Sequence, residues 1–313
     1  MHMTELKIRL NKYIIRLLQV TPFKNFYPYE LVTTIYGYMF INKKDIIISK
    51  CLKDRGYFEE EEVELVKNFI EKKYKKNISF FFVIGANIGT HSIYALKKNI
   101  FEFCFAFEPE LFNYKLLLKN IAINGLKHKV VAFNIALSNT FGKKNMLCDA
   151  ENFGDHRILS KTALSKKNKY FRFGELERRK KITIKTETID NFFKSAKWNS
   201  MPTNLSDSLM WIDTQGHEGF IFEGGENFFS NQNSVNFIVC EFFPYGIEQA
   251  VSKLYYFRFL KNYEIYIIKL DENMFVNVNI KKLERLYYIM LKDNKDAYHL
   301  HLNLLLVKKT FTK

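Results

Sequence analysis

Short runs of apolar residues alternate with amphipathic segments along most of the chain, a pattern typical of buried parallel strands joined by helices. The clearest run, FFFVI at residues 80–84, stops at Gly85, and Gly89 follows four residues later. The helical pattern HSIYALKK comes next, and Thr90 and Ser92 are available to cap its first turn. The sequence therefore predicts a strand, a glycine turn and a helix. Turns of this kind in α/β sheets bind nucleotides or nucleotide-like cofactors.

A second apolar run, FCFAF at residues 103–107, ends in Glu108 and Pro109. An acidic residue about 20 residues past a glycine turn, at the end of the next strand, can accept hydrogen bonds from ribose hydroxyls. A solvent-facing carboxylate is the alternative interpretation of Glu108. Pro109 ends the strand and fixes φ for the helix that follows. Together with the glycine turn, this arrangement predicts a ribose-binding carboxylate.

The remaining patterns extend the same alternation of strands and helices. Further strands are predicted at residues 130–137, 182–188, 209–213, 235–242, 263–270 and 303–308. Helices are predicted at residues 59–73, 110–124, 189–196, 246–262 and 280–291. Residues 33–40 and 45–49 predict a hairpin with its turn at residues 42–44.

Several of these segments resemble the FkbM-type methyltransferases. The likeness is carried by GANIGTHS, AFEPELFNYKLLLKNIAIN, NIALS and WIDTQGHEG, with YGYMF and DRGYFEEEE upstream, and spans residues 36–245. It implies an enzyme that uses S-adenosyl-L-methionine. It also implies an α/β fold of the Rossmann-like class I methyltransferase type, whose seven-stranded, mostly parallel sheet carries helices on both faces. The family usually has an aspartate two residues before Gly85, where this chain has Val83.

Two domains follow from this interpretation. Residues 1–77 form an N-terminal helix and hairpin cover, and residues 78–313 form the Rossmann-like methyltransferase domain. Residues 4–20 predict a basic amphipathic helix. It either packs on its own domain or a partner subunit, or lies on a membrane surface as a weak peripheral contact. No apolar run reaches the roughly 18 residues of a membrane span, and no signal peptide is recognisable.

The resemblance and the strand ends together assign candidate site residues. Those expected to bind the cofactor are Gly85, Ala86, Asn87, Gly89, Thr90, Glu108, Pro109, Asn134, Ala136 and Asp213. Asn134 is equally well explained as a turn residue at a strand end. Those expected to act as catalytic groups or to bind the acceptor are Asp213, His156, His217, Glu218 and Glu241. Asp213 ends a buried strand at the edge where doubly wound sheets bind ligands.

Composition adds a formal net charge of +15, which favours anionic partners such as phosphates, nucleic acid, acidic glycans or a lipid surface. The charge is densest at residues 161–185, with ten Lys and Arg against two Glu. This segment is either an anion-binding rim or a solvated loop. The four cysteines are widely spaced, without the clusters that bind zinc, and fit a reducing cytoplasm.

The leading functional hypothesis is O-methylation of a hydroxyl on a carbohydrate or another secondary metabolite, without a metal. The acceptor is then a small molecule or glycan that could be anionic. An RNA or other nucleic-acid methyltransferase is the first alternative, motivated by the basic segment. It is disfavoured because Asp213-Thr214-Gln215 stands where amino-methylating enzymes commonly carry an Asn/Asp-Pro-Pro-aromatic tetrad. A cofactor-binding protein that has lost activity is the second, motivated by Val83.

Overall fold

A computed structural model describes residues 28–59, 61–158, 179–195, 202, 204–292 and 300–311. The predicted helix at residues 4–20 and most of the basic segment at residues 161–185 lie outside these ranges. The anion-binding and membrane-surface interpretations attached to them therefore stay predictions.

The described strands are β1 (Tyr29–Thr34), β2 (Gly37–Asn42), β3 (Phe80–Ile84), β4 (Phe103–Phe107), β5 (Val130–Phe133), β6 (Ala136–Leu137), β7 (Gly142–Cys148), β8 (Arg157–Ile158), β9 (Lys180–Glu187), β10 (Ser208–Ile212), β11 (Phe237–Phe242), β12 (Tyr263–Lys269), β13 (Met274–Val278) and β14 (Leu302–Lys308). The described α-helices are α1 (Ile48–Arg55), α2 (Glu61–Tyr74), α3 (Thr90–Lys97), α4 (Leu111–Ile123), α5 (Ile189–Lys194), α6 (Glu218–Glu223), α7 (Glu226–Ser230), α8 (Pro244–Ala250), α9 (Lys253–Leu260) and α10 (Ile280–Lys292).

The largest sheet has the strand order β13-β12-β14-β11-β10-β3-β4-β5. Its five strands from β5 to β11 are parallel, and β14 lies antiparallel beside β11. The expected α/β class with a mostly parallel central sheet is confirmed. Among the described residues the sheet has eight strands rather than the expected seven, because β13 pairs with the edge of β12.

Two apolar clusters cover the faces of this sheet, and alternate residues of each strand enter opposite clusters. Val83 and Trp211 join the cluster that contains Val63 and Val66 of α2. Phe82 enters the other cluster, with residues of the helices α6, α9 and α10. Burial on both faces explains why the strands are continuous apolar runs rather than alternating ones.

A second, smaller sheet has the order β6-β9-β7-β8. The predicted single strand at residues 130–137 is therefore wrong, since β5 belongs to the large sheet and β6 to the small one. The chain leaves the large sheet at Asn134, whose side-chain amide donates to the backbone oxygens of Glu108 and Pro109 at 2.9 and 3.0 Å. Those bonds replace the ladder that a continued strand would have made.

The predicted hairpin is placed wrongly. The strands that pair are β1 and β2, and their turn is at Ile35 and Tyr36, while residues 48–55 form α1. Asp45 decides this, because its carboxylate accepts hydrogen bonds from the N–H groups of Ile47 and Ser49 at 3.2 and 2.8 Å. A side chain that binds nearby backbone donors favours a helix start over a strand.

Two further expectations are corrected at helix ends. Neither Thr90 nor Ser92 caps α3, whose N-cap is Gly89 with φ of 94° and no side-chain hydrogen bond. The predicted helix at residues 246–262 is two helices, α8 and α9, separated at Val251 with φ of 60°. The break lets Ser252 donate through Oγ to the backbone oxygen of Gly216 at 2.8 Å.

The hairpin of β1 and β2 is fastened to α4 by Asn120 of that helix and by Asn124, which caps its C-terminal end. Asn120 Oδ1 accepts from the N–H of Phe40 at 2.6 Å, and its Nδ2 donates to the Phe40 oxygen at 3.1 Å. Asn124 makes the same pair of bonds with Tyr38, at 3.2 and 2.6 Å. The backbone N–H and C=O groups at the open edge of β2 are thus paired with side chains of the helix, which protects this edge from pairing with another strand.

Of the helices in the described ranges, none has the length and apolar character needed to cross a bilayer. Cys51, Cys104, Cys148 and Cys240 carry free thiols.

Candidate active site

The carboxyl ends of β3 and β4 meet at the glycine turn. The N–H groups of Gly85 and Ala86 both donate to the backbone oxygen of Phe107, at 3.0 and 2.9 Å. Gly85 has φ of 87°, and a Cβ atom there would lie 1.9 Å from the carbonyl oxygen of Asp213. Only glycine permits this close approach of the ends of β3 and β10.

The N–H groups of the glycine turn are used within the protein. Besides the two bonds to Phe107, the N–H of Asn87 donates to Glu108, that of Ile88 to Asn87 Oδ1, and that of Gly89 to Ala86. The sequence suggests a turn that offers bare backbone to a ligand, whereas these donors are already paired. The first turn of α3, at Thr90 and His91, is where a helix leaves its N–H groups without intrahelical partners.

Glu108 lies directly beside this turn, as the spacing predicts. Its side chain is buried, with Oε2 accepting from the N–H of Asn87 and Oε1 from the N–H of Glu110, both at 2.8 Å. Burial raises the pKa of Glu108 to about 8, although the two backbone donors oppose the rise. Each carboxylate oxygen has a second lone pair, so both can still accept from ligand hydroxyls.

One cavity joins the glycine turn, Glu108 and the end of β10. Of the residues predicted for the site, those lining it are Gly85, Ala86, Asn87, Thr90, Glu108, Pro109, Ala136, His156 and Asp213. Its walls also include Ile48 and Phe58 of the N-terminal cover. Asn134, Glu218 and Glu241 are not among its lining residues. Gly89 is also absent from the wall, because its Cβ position faces Leu117 at 2.6 Å.

Asn113 is a cavity residue that the sequence did not indicate. Its N–H donates to the Glu110 side chain at 2.7 Å, and Nδ2 donates to the backbone oxygen of Phe153 at 3.2 Å. Within the described part of the chain, its buried Oδ1 has no hydrogen-bond partner. A buried acceptor without a donor is costly, so this atom is suited to a ligand N–H or O–H.

Residues 149–156 form a segment that closes one side of the cavity. The backbone oxygen of Phe153 accepts from the amides of Asn87 and Asn113, and its N–H reaches Asp45 of the cover at 3.4 Å. Asp155 and Arg157, which flank His156, pair with each other at 2.5 Å. His156 does line the cavity.

The geometry of His156 makes it a donor rather than a base. Its Nδ1 accepts from the N–H of Asp149 at 3.2 Å, so the proton of the neutral ring is on Nε2. Burial lowers the pKa of His156 to about 4. The ring is therefore neutral near pH 7 and can donate from Nε2 toward an acceptor oxygen.

Asp213 follows β10, which flanks β3 on the side opposite β4, and it lines the same cavity as Glu108. Its N–H donates to Ile84, and its Oδ1 accepts from the Gln215 amide at 2.9 Å. The same Gln215 nitrogen lies 3.2 Å from Oε2 of Glu241. Burial raises the pKa of Asp213, while the bond from Gln215 opposes the rise.

Glu218 and His217 do not line the cavity themselves, and Glu218 bonds to Thr214, which does. Glu218 Oε1 accepts from both the N–H and the Oγ1 of Thr214 at 2.8 Å, which fixes the turn into α6. His217 Nε2 lies 2.8 Å from the Ser138 hydroxyl, and burial lowers its pKa to about 3. These contacts favour positioning roles over direct contact with an acceptor.

His91 is a second cavity residue to which the sequence assigned no role, although it lies in the GANIGTHS segment. Its ring packs against Trp211 in a tilted arrangement with centroids 5.0 Å apart, and burial lowers its pKa to about 4. It lies one residue into α3, where periodicity alone does not distinguish it from a packing residue. Val83, at the position of the usual aspartate, is 1% exposed and packs in the apolar cluster under α2.

Comparison with known proteins agrees with this geometry. Residues 84–265, more than half of the chain, match the Methyltransferase FkbM domain. No curated protein matches the chain significantly.

Solved structures with a similar arrangement are distant. TYW2 of P. horikoshii, in complex with MeSAdo, is 17% identical over 36% of this chain and 39% of that chain, with a TM-score of 0.27. The aligned part thus spans well under half of that protein. TrmK of M. capricolum, in complex with S-adenosyl-homocysteine, is 11% identical over 79% and 68% of the two chains, with a TM-score of 0.36. The METTL16 methyltransferase domain is 9% identical over 88% and 86%, with a TM-score of 0.44.

The cofactor implied by the family is S-adenosylmethionine, and the cavity suits it. A nucleoside is rich in hydroxyl and amino donors, and the wall offers the Glu108 carboxylate and the unpaired Asn113 oxygen. The strand order, the cavity at the carboxyl ends of β3, β4 and β10, and the match over residues 84–265 agree with one another. The chain belongs to the FkbM family of S-adenosylmethionine-dependent methyltransferases.

Proposed function

We propose that this protein transfers a methyl group to a hydroxyl of a carbohydrate or another small metabolite. The observation that carries the proposal is Asp213, a carboxylate on the cavity wall whose partner amide, Gln215, also contacts Glu241. A hydroxyl nucleophile benefits from such a base, because its own proton must leave as the oxygen attacks.

Each part of the cavity has a proposed role. Glu108 binds the ribose hydroxyls, and Asn113 accepts from another donor of the nucleoside. The turn at residues 85–89 and the start of α3 contact the methionine end, where Thr90 lines the wall. S-adenosylmethionine supplies an activated methyl group on a sulfonium, so the protein's main tasks are alignment and exclusion of water.

On the acceptor side, we assign proton acceptance to Asp213 and orientation to His156. The Nε2 proton of His156 can be donated to an acceptor oxygen, which leaves Asp213 to take the hydroxyl proton. Glu218 and Glu241 lie outside the cavity wall. They position the cavity residues Thr214 and Gln215, respectively, by hydrogen bonds.

The N-terminal cover is proposed to be a working part of the site. Ile48 and Phe58 line the cavity, and Asp45 holds the segment at residues 149–156. Glu62 of α2 also accepts from Asn303 Nδ2 at 2.7 Å, and Asn303 pairs across the sheet with Glu241. The boundary between residues 1–77 and 78–313 would then separate two parts that function only together.

The free cysteines fit a reducing compartment, and we propose the cytoplasm.

The test is incubation with methyl-labelled S-adenosylmethionine and either a glycan extract, a panel of neutral methyl glycosides, or bulk transfer RNA. The expected result is a glycan or glycoside that becomes heavier by one methyl group, through an ether that survives mild alkali. Asp213→Asn should bind S-adenosylhomocysteine normally and lose transfer. Label in RNA alone would favour the nucleic-acid alternative, for which the basic segment at residues 161–185 is the motivation. Normal cofactor binding with no transfer in any arm would favour the inactive alternative.

A further inference from the structure

A single side-chain amide lies between two acidic groups at the acceptor side of the cavity. Gln215 Nε2 is 2.9 Å from Asp213 Oδ1, 3.2 Å from Glu241 Oε2 and 3.5 Å from Glu241 Oε1. An amide nitrogen has two N–H bonds, and here one is directed at each carboxyl group.

The backbone holds this amide in a fixed place. Gln215 has φ of 57°, in the left-handed region, and Gly216 follows with φ of 97°. A Cβ atom on Gly216 would lie 2.3 Å from the backbone of Gly246, so the turn is packed directly against α8. The turn therefore has no room to shift, and the contacts with Asp213 and Glu241 hold the Gln215 side chain on it.

The surroundings make it costly to ionise both Asp213 and Glu241. Burial raises the pKa of Glu241 well above its ordinary value, and Asp213, Glu218 and Asp155 raise it further, against the opposing charge of Arg157. Asp155 raises the pKa of Asp213 and His301 opposes that rise, while Asp213 in turn raises the pKa of Glu59 and Glu62. Two interacting carboxyl groups that share a site keep one proton over a wide pH range and titrate as a pair.

We propose that Gln215 is a positioning residue that decides where this shared proton is held. It keeps Asp213 as the carboxylate and Glu241 as the protonated partner. The inference rests on the proposed function, because it gives Asp213 the state that a base requires. Two observations favour this direction: the bond to Asp213 is the shorter one, and Asp213 lines the cavity whereas Glu241 lies behind Gln215.

The proton balance of the reaction follows from this state. The acceptor hydroxyl gives its proton to Asp213, and its oxygen forms a bond to the methyl carbon. The carbon–sulfur bond breaks with its electron pair remaining on sulfur, which leaves a neutral thioether. Asp213 then returns its proton to water, and Glu241 keeps its own proton throughout.

The inference can be tested without an acceptor, by carbon-13 NMR of protein labelled at the Asp and Glu carboxyl carbons. Asp213→Asn and Glu241→Gln identify the two resonances. Gln215→Met keeps the side-chain length and removes the donor, so the pKa of Asp213 should rise by about one to two pH units, the value of a hydrogen bond to a charged group. In Gln215→Asn, the asparagine tolerates the left-handed backbone but is too short to contact both carboxyl groups. The pKa of Asp213 should therefore rise in this variant as well.

Thermal unfolding and S-adenosylhomocysteine binding by each Gln215 variant establish that the fold and the cofactor site are intact. With a glycoside from the panel above, the acidic limb of the pH profile of kcat should shift to higher pH in Gln215→Met. The shift should equal the rise in the pKa of Asp213 that NMR measures. An Asp213 titration that is identical in wild type and both variants overturns the inference, whatever the enzyme methylates. Absence of transfer to any hydroxyl by the wild-type protein overturns the proposed function instead.

Discussion

The N–H of Asn87 donates to Oε2 of Glu108 at 2.8 Å, which ties the glycine turn after β3 to the carboxylate after β4. The backbone of Asn87 has φ of 50°, so this donor is held by a turn that cannot easily relax. Through Nδ2, the same residue bonds to the backbone oxygen of Phe153. Asn87 thus links the floor of the cavity to the segment that closes it, and Glu108 is fixed before any ligand arrives.

Glu108→Gln should weaken S-adenosylhomocysteine binding about 10- to 100-fold, since hydrogen bonds to a charged group contribute about 1.5–3 kcal/mol. The variant also places an amide N–H against one of the two backbone donors that now bond to the carboxylate. Isothermal titration calorimetry measures the change. The matched control is Glu102→Gln, just before β4 and far from the cavity wall, which should bind normally. Wild-type affinity in Glu108→Gln would remove the ribose assignment.

The raised pKa of Glu108, about 8, predicts that cofactor binding releases a proton at pH 7. The carboxyl is mostly protonated before binding, and ribose hydroxyls that donate to it favour the ionised form. Affinity should therefore increase as pH rises from 6 to 8 and level off above that range. Calorimetry at pH 7 in phosphate and in Tris gives the number of protons released. Equal enthalpies in the two buffers would contradict the prediction, and Glu108→Gln should show no release.

The buried strands could be predicted because each is a continuous apolar run, which burial on both faces of a parallel sheet requires. The same rule failed at residues 45–49, DIIIS, where three β-branched residues suggest a strand. Asp45 binds two backbone donors there and starts a helix instead. Local side-chain contacts of this kind override propensity, and periodicity does not reveal them.

Glu108 and Asp213 could be predicted as site residues because each follows a buried strand, and strand ends gather at one edge of an α/β sheet. Asn113 and His91 could not, since they lie inside helices and reach the cavity only through the packing of α4 and α3. Gln215 was visible only as a member of the WIDTQGHEG segment, with no role assigned to it. Its bridging position depends on β10 and β11 ending side by side.

Val83→Asp should destabilise the protein without strengthening cofactor binding. Val83 is 1% exposed among apolar side chains, and burying an unpaired polar group costs about 2–4 kcal/mol. Urea unfolding measures the loss, and calorimetry measures the affinity. Val83→Ala is the control for lost packing alone. A gain in affinity in Val83→Asp would instead support the alternative that this chain lost function with the family's aspartate.

Asn120→Asp should loosen the cover. The substitution is nearly isosteric, but it replaces the Nδ2 donor that bonds to the backbone oxygens of Phe40 and Ile88, at 3.1 and 2.8 Å. The buried carbonyl of Ile88 and the half-buried carbonyl of Phe40 would then face a carboxylate, which should cost about 2–5 kcal/mol. Asn231→Asp, in an exposed turn, is the control. Amide hydrogen exchange should be faster in β1 and β2 of the variant. Unchanged protection in these strands would show that Asn120 does not hold the hairpin against α4.

Stability should be greatest at mildly acidic pH, although the sequence pI is about 9.4. Burial raises the pKa of Glu62 and Glu218 from 4.5 to about 7, so the stability they contribute is complete below 4.5 and is lost as pH rises through 7. Burial lowers the pKa of His91 and His217 from 6.5 to about 4 and 3, so their contribution is present above 6.5 and is lost as pH falls through those values.

These opposite windows place the maximum between about pH 5 and 6.5, with each carboxyl costing about 1–3 kcal/mol by pH 9. Repulsion within a chain of net charge +15 predicts the opposite trend, because the net charge decreases toward the pI. Thermal unfolding of the ligand-free protein between pH 5 and 9 distinguishes the two. Glu62→Gln keeps an acceptor for Asn303 and should flatten the decline between pH 6 and 8. A melting temperature that rises steadily to pH 9 in wild type would show that the net charge outweighs the buried carboxyl groups.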